Sequence, residues 1–86
     1  MADYSITFAR SARKELEAIS NPLISRIILK IEALCETPRP SGCRKLAGSN
    51  DLWRIRIGDY RVVYSISDTF RLIDVVAVRH RSHAYD

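Results

Sequence analysis

The fold is decided by residues 53–64, which read WRIRIGDYRVVY. Apolar and polar residues alternate on both sides of Gly58-Asp59, and alternation with a period of two is typical of β-strands. A glycine in the first position of a two-residue loop favours a type II′ turn. The segment is therefore predicted to form a β-hairpin whose pairing is fixed by that turn.

The predicted pairing brings arginines together. It sets Ile57 opposite Tyr60, Arg56 opposite Arg61, Ile55 opposite Val62, Arg54 opposite Val63 and Trp53 opposite Tyr64. The apolar face is expected to pack on the core, and the face with Arg54, Arg56 and Arg61 is expected to be open. Like charges directly opposite each other on paired strands cost up to about 1 kcal/mol. The arrangement favours an external anion held by forked guanidinium donors.

Upstream of the hairpin, the sequence predicts one strand and two helices. Alternation over residues 4–8 indicates a short, half-buried strand. Ser11 is a candidate N-cap for a helix that runs to about Ile19. Asn21-Pro22 is expected to start a second helix, with proline in its first position. Residues 23–35 give that helix a wide apolar stripe.

The remaining segments complete an α+β fold. Residues 37–42, TPRPSG, are predicted to be a loop, and residues 43–51 to be irregular chain. Three strands are predicted at Leu52–Ile57, Tyr60–Ile66 and Phe70–Val78. The order is β-α-α-β-β-β, a small antiparallel sheet with an αα-hairpin packed on one face. Residues 1–86 are expected to form a single domain.

Composition restricts the class of protein. The formal net charge is +4, and residues 44–86 carry eight Lys or Arg against five Asp, compared with six basic and five acidic residues in 1–43. A basic half favours a polyanion or an acidic protein as partner. The sequence contains no signal-peptide pattern and no 18-residue apolar run, so a cytoplasmic protein without membrane contact is expected.

Metal and cofactor chemistry is not predicted. Cys35 and Cys43 match no zinc or CxxC redox spacing and are interpreted as free thiols. His80-x-x-His83 has no third His or Cys ligand close in sequence and only Asp86 nearby. No phosphate-binding glycine loop, nucleophile elbow or paired-carboxylate site can be assembled. The glutamates of the two helices are interpreted as solvated.

The end of the chain, residues 79–85, is a second basic cluster that reads RHRSHAY. It directly follows the last predicted strand, so Arg79 or Arg81 is expected to reach the arginines of the hairpin. Tyr85 has a ring that can stack on a base. His80 and His83 are candidates for proton exchange near neutral pH.

These motifs together resemble the RelE branch of the RelE/ParE toxins of bacterial type II toxin–antitoxin systems. The specific part is the run Arg-Ile-Arg-x-Gly-Asp-Tyr-Arg-x-x-Tyr, which starts at Arg54. Lys45-Leu46-x-Gly48 and the ending His80-Arg81-x-x-x-Tyr85 add to it. The resemblance implies the RelE-like fold and a toxin that binds in the ribosomal A site and cuts mRNA there, by attack of a ribose 2′-hydroxyl on its own phosphodiester.

The resemblance also implies roles for individual residues. Arg61 and Arg81 would hold the phosphate and stabilise the transition state, and Tyr85 would stack on the base or orient it. Arg54 and Arg56 occupy positions that in relatives often carry basic residues implicated in proton transfer, and His80 is a candidate acid. The other basic residues expected to contact RNA are Arg44, Lys45, Arg79 and His83. Arginine hardly gives up its proton, so the general base is left open.

Partners follow from the same resemblance. It implies a cognate antitoxin that covers the basic face, together with the ribosome, mRNA and, through the antitoxin, operator DNA. Part of the stripe over residues 23–35 either meets the antitoxin or packs wholly on the sheet. The alternative functions are a ParE-like inhibitor of DNA gyrase and an inactive relative that acts only as an antitoxin-bound corepressor.

Overall fold

The computed structural model describes residues 3–49 and 51–83. The elements are β1 (Ser5–Phe8), α1 (Arg10–Glu17), α2 (Leu23–Ala33), β2 (Arg44–Lys45), β3 (Leu52–Ile57), β4 (Tyr60–Ser67), β5 (Leu72–His80) and a short 3-10 helix (Arg81–His83). The predicted α+β fold and its element order are confirmed. One addition is β2, which lies inside the segment predicted to be irregular.

The strands form one five-stranded sheet in the order β1-β5-β4-β3-β2. The strands from β2 to β5 pair antiparallel, as predicted for the later strands. β1 pairs parallel with β5, so the sheet is mixed. The two helices separate β1 from the other strands along the chain. The last strand, β5, then pairs with β1, which lies at the edge of the sheet.

The β3–β4 hairpin has the predicted pairing at each of its positions. Arg56 lies opposite Arg61, and Ile57 lies opposite Tyr60 across the turn. Gly58 has a positive φ of 59° and Asp59 does not, which is the pattern of a type II′ turn. The face that each residue of the hairpin occupies therefore follows from the turn.

The core lies between the helices and one face of the sheet. Its fully or nearly fully buried residues come from both helices and from β3, β4 and β5: Ala12, Leu16, Ile27, Ile31, Leu34, Ile55, Ile57, Val62, Tyr64, Ile73, Val75 and Val78. The other apolar residues of the α2 stripe, such as Leu23, Ile24 and Ile28, are partly buried against this core. The stripe therefore packs on the sheet through its buried residues, and contact of its partly exposed residues with the antitoxin stays a prediction.

Several predicted boundaries, among them the starts of α1, α2 and β5, differ from the observed ones by one or two residues. Ala9 is the N-cap of α1, and the hydroxyl of Ser11 instead donates to the carbonyl oxygen of Val76. α2 begins at Leu23, with Pro22 as its N-cap. β5 begins at Leu72, because Arg71 has a left-handed φ of 52° that interrupts the strand.

One polar cluster fixes the loop between α2 and β2 to the sheet. We call Tyr4, Arg39, Trp53 and Asp68 the Arg39 cluster. Arg39 binds Asp68 through two nitrogens, at 3.0 and 3.4 Å, and its guanidinium lies 5.0 Å from the Trp53 ring centroid. The Tyr4 hydroxyl donates to the same carboxylate at 2.6 Å. These hydrogen bonds, from Arg39 first and then Tyr4, lower the pKa of Asp68.

No helix within the described ranges is both long enough and apolar enough to cross a membrane. Cys35 and Cys43 are free thiols.

Candidate nucleic-acid interface

Three arginines form a row across three neighbouring strands. Arg56 on β3 lies opposite Arg61 on β4, and Arg61 lies opposite Arg79 on β5. Directly opposite residues in antiparallel strands have Cβ atoms about 4.5–5.5 Å apart. The row therefore places three arginine residues next to one another on one face of the sheet, with Arg61 in the middle.

A parallel row adds two more arginines to the same face. Arg44 on β2 lies opposite Arg54 on β3, and the row continues through Val63 to Ala77. We call the surface formed by the two rows the arginine face; its five arginines are Arg44, Arg54, Arg56, Arg61 and Arg79. It lies on the side of the sheet opposite the helices.

The prediction that this face is open is wrong for two of its arginines. Arg54 is 4% exposed and Arg61 is 8% exposed, whereas Arg56 is exposed. Arg54 has a residue directly beside it on β2 and on β4, and Arg61 has one on β3 and on β5. β2 pairs only with Trp53 and Arg54, so Arg56 has no such neighbour on the β2 side. None of Arg54, Arg56 and Arg61 is free, since each has a polar or electrostatic partner. Buried guanidiniums are held in place more firmly than exposed ones, because few rotamers remain open to them.

A cavity of about 220 Å³ opens on the arginine face. Two arginines and five aliphatic side chains line it: Arg61, Arg79, Leu46, Leu52, Val63, Val76 and Ala77. The aliphatic lining lowers the local exposure to water around the two guanidiniums, and electrostatic attraction is stronger where water is excluded. The surface can therefore bind an anion at Arg61 and Arg79 and accept an apolar group beside it.

Two acidic residues reach the arginines from outside the two rows. Glu15 on α1 accepts a hydrogen bond from Nε of Arg79 at 3.2 Å. Asp59 in the hairpin turn lies 3.9 Å from Nε of Arg81, and both side chains are about two-thirds exposed. An exposed pair of this kind contributes little to stability. Its backbone contact is stronger: the N–H of Arg81 donates to the carbonyl oxygen of Asp59 at 2.7 Å.

The structure brings some predicted site residues together and separates others. Arg44, Arg54, Arg56, Arg61 and Arg79 share the arginine face, and Arg81 lies beside the turn at its end. Lys45 lies opposite Trp53, on the helix side of the sheet. His83 ends the 3-10 helix, and Tyr85 lies outside the described residues.

His80 is also on the helix side. It lies opposite Tyr60, with the two rings edge to face at 5.4 Å between centroids. Its Nδ1 lies 2.9 Å from Oγ of Ser82 and accepts from the Ser82 N–H at 3.3 Å. The strand pairing therefore does not bring His80 into the arginine row, and its role as an acid stays a prediction.

Glu15 is the residue of this region whose position was not predicted. It was interpreted as solvated, as most helical glutamates are, but its carboxylate accepts hydrogen bonds from Val78 and Arg79 of β5. The signal in the sequence is its spacing, four residues after Ser11 and directly before Leu16, which places it at the border of the buried stripe of α1. Among the described residues, no group of three or more His, Cys, Asp and Glu is placed to hold a metal ion.

The chain resembles one protein family over nearly all of its length. A family model described as "ParE toxin of type II toxin-antitoxin system, parDE" matches residues 6–85. A RelE-like toxin protein of Escherichia coli is 32% identical over 88 residues, which cover 96% of this chain and 90% of that protein.

Two solved structures have the same fold over nearly their whole length. The archaeal RelE–RelB complex from Pyrococcus horikoshii OT3 gives a TM-score of 0.82 at 28% identity, covering 95% of this chain and 99% of that chain. The intact E. coli RelBE toxin–antitoxin complex gives a TM-score of 0.80 at 26% identity, covering 96% of this chain and 99% of that chain.

Proposed function

The chain belongs to the RelE/ParE family of toxins of type II toxin–antitoxin systems, and from that premise we propose that it is a ribosome-dependent endonuclease. It cuts mRNA in the ribosomal A site and so inhibits translation in the cytoplasm. The observation that carries the proposal is the row of Arg56, Arg61 and Arg79 on three neighbouring strands. The row places three guanidinium-bearing side chains on one face of the sheet, and arginine binds phosphate groups through paired N–H donors.

The proposed reaction needs no cofactor. The ribose 2′-oxygen attacks the neighbouring phosphorus, a 2′-O–P bond forms, and the P–O5′ bond breaks. The 2′-hydroxyl proton passes to solvent water, and water returns a proton to the leaving 5′-oxygen. The products are a 2′,3′-cyclic phosphate and a 5′-hydroxyl.

Arg61 has the central role in this reaction. Negative charge builds up on the phosphate oxygens as the fifth bond forms, and donors that are already fixed stabilise that charge without reorganising. Arg61 is in the middle of the row and nearly fully buried, so its guanidinium is held in place before RNA binds. Arg56 and Arg79 flank it, and Arg81 and Arg54 extend the positive surface.

The rate is proposed to come from electrostatics and alignment rather than from a strong general base. Arginine keeps its proton in proteins, so Arg54 and Arg56 bind and orient the phosphate. The ribosome supplies part of the alignment of the 2′-hydroxyl with the phosphorus. Tyr85 keeps its predicted role of stacking on the base.

A cognate antitoxin is the proposed regulator. The relatives from P. horikoshii and E. coli were solved as RelE–RelB and RelBE complexes, which supports a similar partner for this chain. An acidic segment of the antitoxin would cover the arginine face and compete there with RNA. The toxin–antitoxin complex would in turn contact operator DNA through the antitoxin.

The test is a cleavage assay on purified ribosomes programmed with a defined mRNA. The full-length chain is expected to cut within the A-site codon and to leave a 2′,3′-cyclic phosphate, while the same mRNA without ribosomes stays intact. Uncut mRNA on the ribosome would contradict the proposal.

A second candidate is inhibition of DNA gyrase, which the ParE description of the matching family favours. It is checked with the same protein preparation in a supercoiling assay. Loss of gyrase supercoiling together with intact mRNA would replace the first proposal with the second. If neither activity appears, an inactive, antitoxin-bound corepressor is the alternative that is left to test.

A further inference from the structure

The outer edge of β5 is covered by two different elements. β1 pairs with the first part of the strand, Leu72–Val75, and α1 covers the part that follows. The hydroxyl of Ser11 donates to the carbonyl oxygen of Val76 at 3.2 Å, and Oε1 of Glu15 accepts from the N–H of Val78 at 2.8 Å. Because Ser11 and Glu15 are four residues apart, they lie on one side of the helix. The helix thus takes the place of a strand along this edge.

Glu15 has a second partner on the same strand. Its other oxygen, Oε2, accepts from Nε of Arg79 at 3.2 Å. The Glu15 side chain is 30% exposed and that of Arg79 is 39% exposed, so the pair is shielded more than an ordinary surface ion pair. One carboxylate therefore fixes both the backbone of Val78 and the guanidinium of the next residue.

Arg79 stands between two cavities. One is the cavity of the arginine face, of about 220 Å³, which Arg61 also lines. The other is a cavity of about 320 Å³ under α1, which Glu15 and His80 also line. The bond to Glu15 uses Nε, so it leaves the two terminal Nη groups for other acceptors.

We propose that Glu15 is a positioning residue for phosphodiester cleavage, because its carboxylate holds Arg79 by Nε so that the Nη groups meet the scissile phosphate beside Arg61. The inference rests on the proposed function. Glu15 does not touch RNA and acts only through Arg79. A donor fixed by a supporting contact is already in place when charge develops on the phosphate, whereas an Arg79 without that contact has more rotamers open to it.

The variant Glu15→Gln distinguishes the alignment of Arg79, which affects kcat, from the electrostatic attraction of RNA, which affects KM. The amide oxygen still accepts from one N–H, but the charge that holds Arg79 is lost. The surface also becomes more positive by one charge, which strengthens attraction to RNA. We therefore expect kcat to fall roughly 10-fold, less than the 10²-fold or more for loss of a donor, while KM stays equal or decreases.

The matched control is Glu17→Gln, on the exposed side of the same helix. It changes the net charge by the same amount and leaves the contact with Arg79 intact. We expect it to change KM as Glu15→Gln does and to leave kcat unchanged. Thermal unfolding of each variant gives the folded fraction to which kcat is normalised.

The deciding experiment is a double-mutant cycle in the ribosome-programmed cleavage assay. If Glu15 acts through Arg79, then Glu15→Gln has an effect of less than 2-fold on kcat when Arg79→Ala is already present. A full 10-fold effect in that background would mean a structural role only and would overturn the inference.

The same experiment distinguishes the two proposals. Equal kcat for Glu15→Gln and the wild-type chain would overturn the inference while wild-type cleavage upheld the proposed function. If the wild-type chain left mRNA uncut on the ribosome, both would fall.

Discussion

Arg39 and Arg61 carry the same guanidinium group in two regions of the molecule that surround it differently. Arg39 binds Asp68 at 3.0 and 3.4 Å and lies over the ring of Trp53. Arg61 has an arginine directly opposite it on each neighbouring strand. Arg39 is exposed, whereas Arg61 is 8% exposed. The exposed arginine has a nearby carboxylate, and the buried one stands in a row of like charge.

The two regions are expected to contribute differently to stability and to function. The Arg39 cluster ties a loop to the sheet, and its charges are balanced within the chain. The arginine row concentrates positive charge on the side of the sheet that the helices leave uncovered. Replacement of Arg39 is therefore expected to leave cleavage unchanged and to change stability only a little, because its ion pair is exposed. Replacement of an arginine in the row is expected to impair cleavage of RNA.

Arg61→Ala is expected to reduce cleavage more than the other substitutions described below. Removal of one fixed donor to a developing oxyanion lowers kcat by about 10²–10³-fold, and Arg61 is the central donor of the row. Single-turnover cleavage on programmed ribosomes measures the change. Because Arg61 is buried, thermal unfolding of the variant must show a folded protein. Arg61→Lys, which keeps the charge but not the fork, is expected to recover only part of the rate. If Arg61→Ala cleaved mRNA at a rate within a few-fold of the wild-type rate, the expected functional difference between the arginine face and the Arg39 cluster would be contradicted.

A smaller effect, on stability alone, is expected from Tyr64→Phe. The Tyr64 hydroxyl donates to the carbonyl oxygen of Pro38 at 2.8 Å, next to Arg39. Loss of a hydrogen bond of this type costs about 1 kcal/mol. Urea unfolding measures this free energy, and cleavage is expected to stay within 2-fold of wild type. A drop in cleavage with unchanged stability would place Tyr64 with the functional region instead.

The same tyrosine gives an expectation for high pH. Burial raises the pKa of Tyr64 above the ordinary value of about 10. The unfolded chain then loses this proton at a lower pH than the folded one, so the contribution of Tyr64 to stability is complete below about pH 10 and declines as pH rises further. The free energy of unfolding should therefore fall more steeply above pH 10 in the wild-type chain than in Tyr64→Phe. Parallel curves would contradict the assignment.

The smallest effect is expected from Arg39→Gln. Exposed ion pairs contribute little to stability, so the Tm should stay within roughly 4 °C of wild type. Cleavage should be unchanged, because Arg39 lies away from the arginine face. A loss of cleavage comparable to that of Arg61→Ala would mean that charge anywhere on the protein drives the reaction.

The pairing of the hairpin could be predicted from sequence because a two-residue turn leaves one register for residues that alternate in polarity. The position of Arg56 opposite Arg61 therefore follows from the order of the residues alone. The neighbours of the hairpin could not be predicted in this way. The burial of Arg54 and Arg61 depends on β2 and β5 flanking the inner strands, and the two-residue β2 is too short to give a periodic signal.

Long-range contacts account for the other differences. β1 lies parallel to β5, which depends on where the two helices return the chain. Glu15 finds its partners 63 and 64 residues away, and a helical pattern alone is equally typical of a solvated glutamate. The position of His80 opposite Tyr60 follows from strand alternation once the extent of β5 is known, but the predicted strand ended at Val78.

The salt dependence of RNA binding shows whether RNA contacts the arginine face. The dissociation constant of a short single-stranded RNA is measured by fluorescence anisotropy over a series of salt concentrations, for the wild-type chain, Arg56→Gln and Arg39→Gln. Both variants lose one positive charge, and both replace an exposed arginine. Each phosphate contact adds about 0.7 to the slope of log K against log salt for single strands. If the arginine face binds RNA, the slope for Arg56→Gln should be about 0.7 lower than that of the wild-type chain, and the slope for Arg39→Gln should equal that of the wild-type chain. Equal slopes for the two variants would contradict RNA binding at the arginine face.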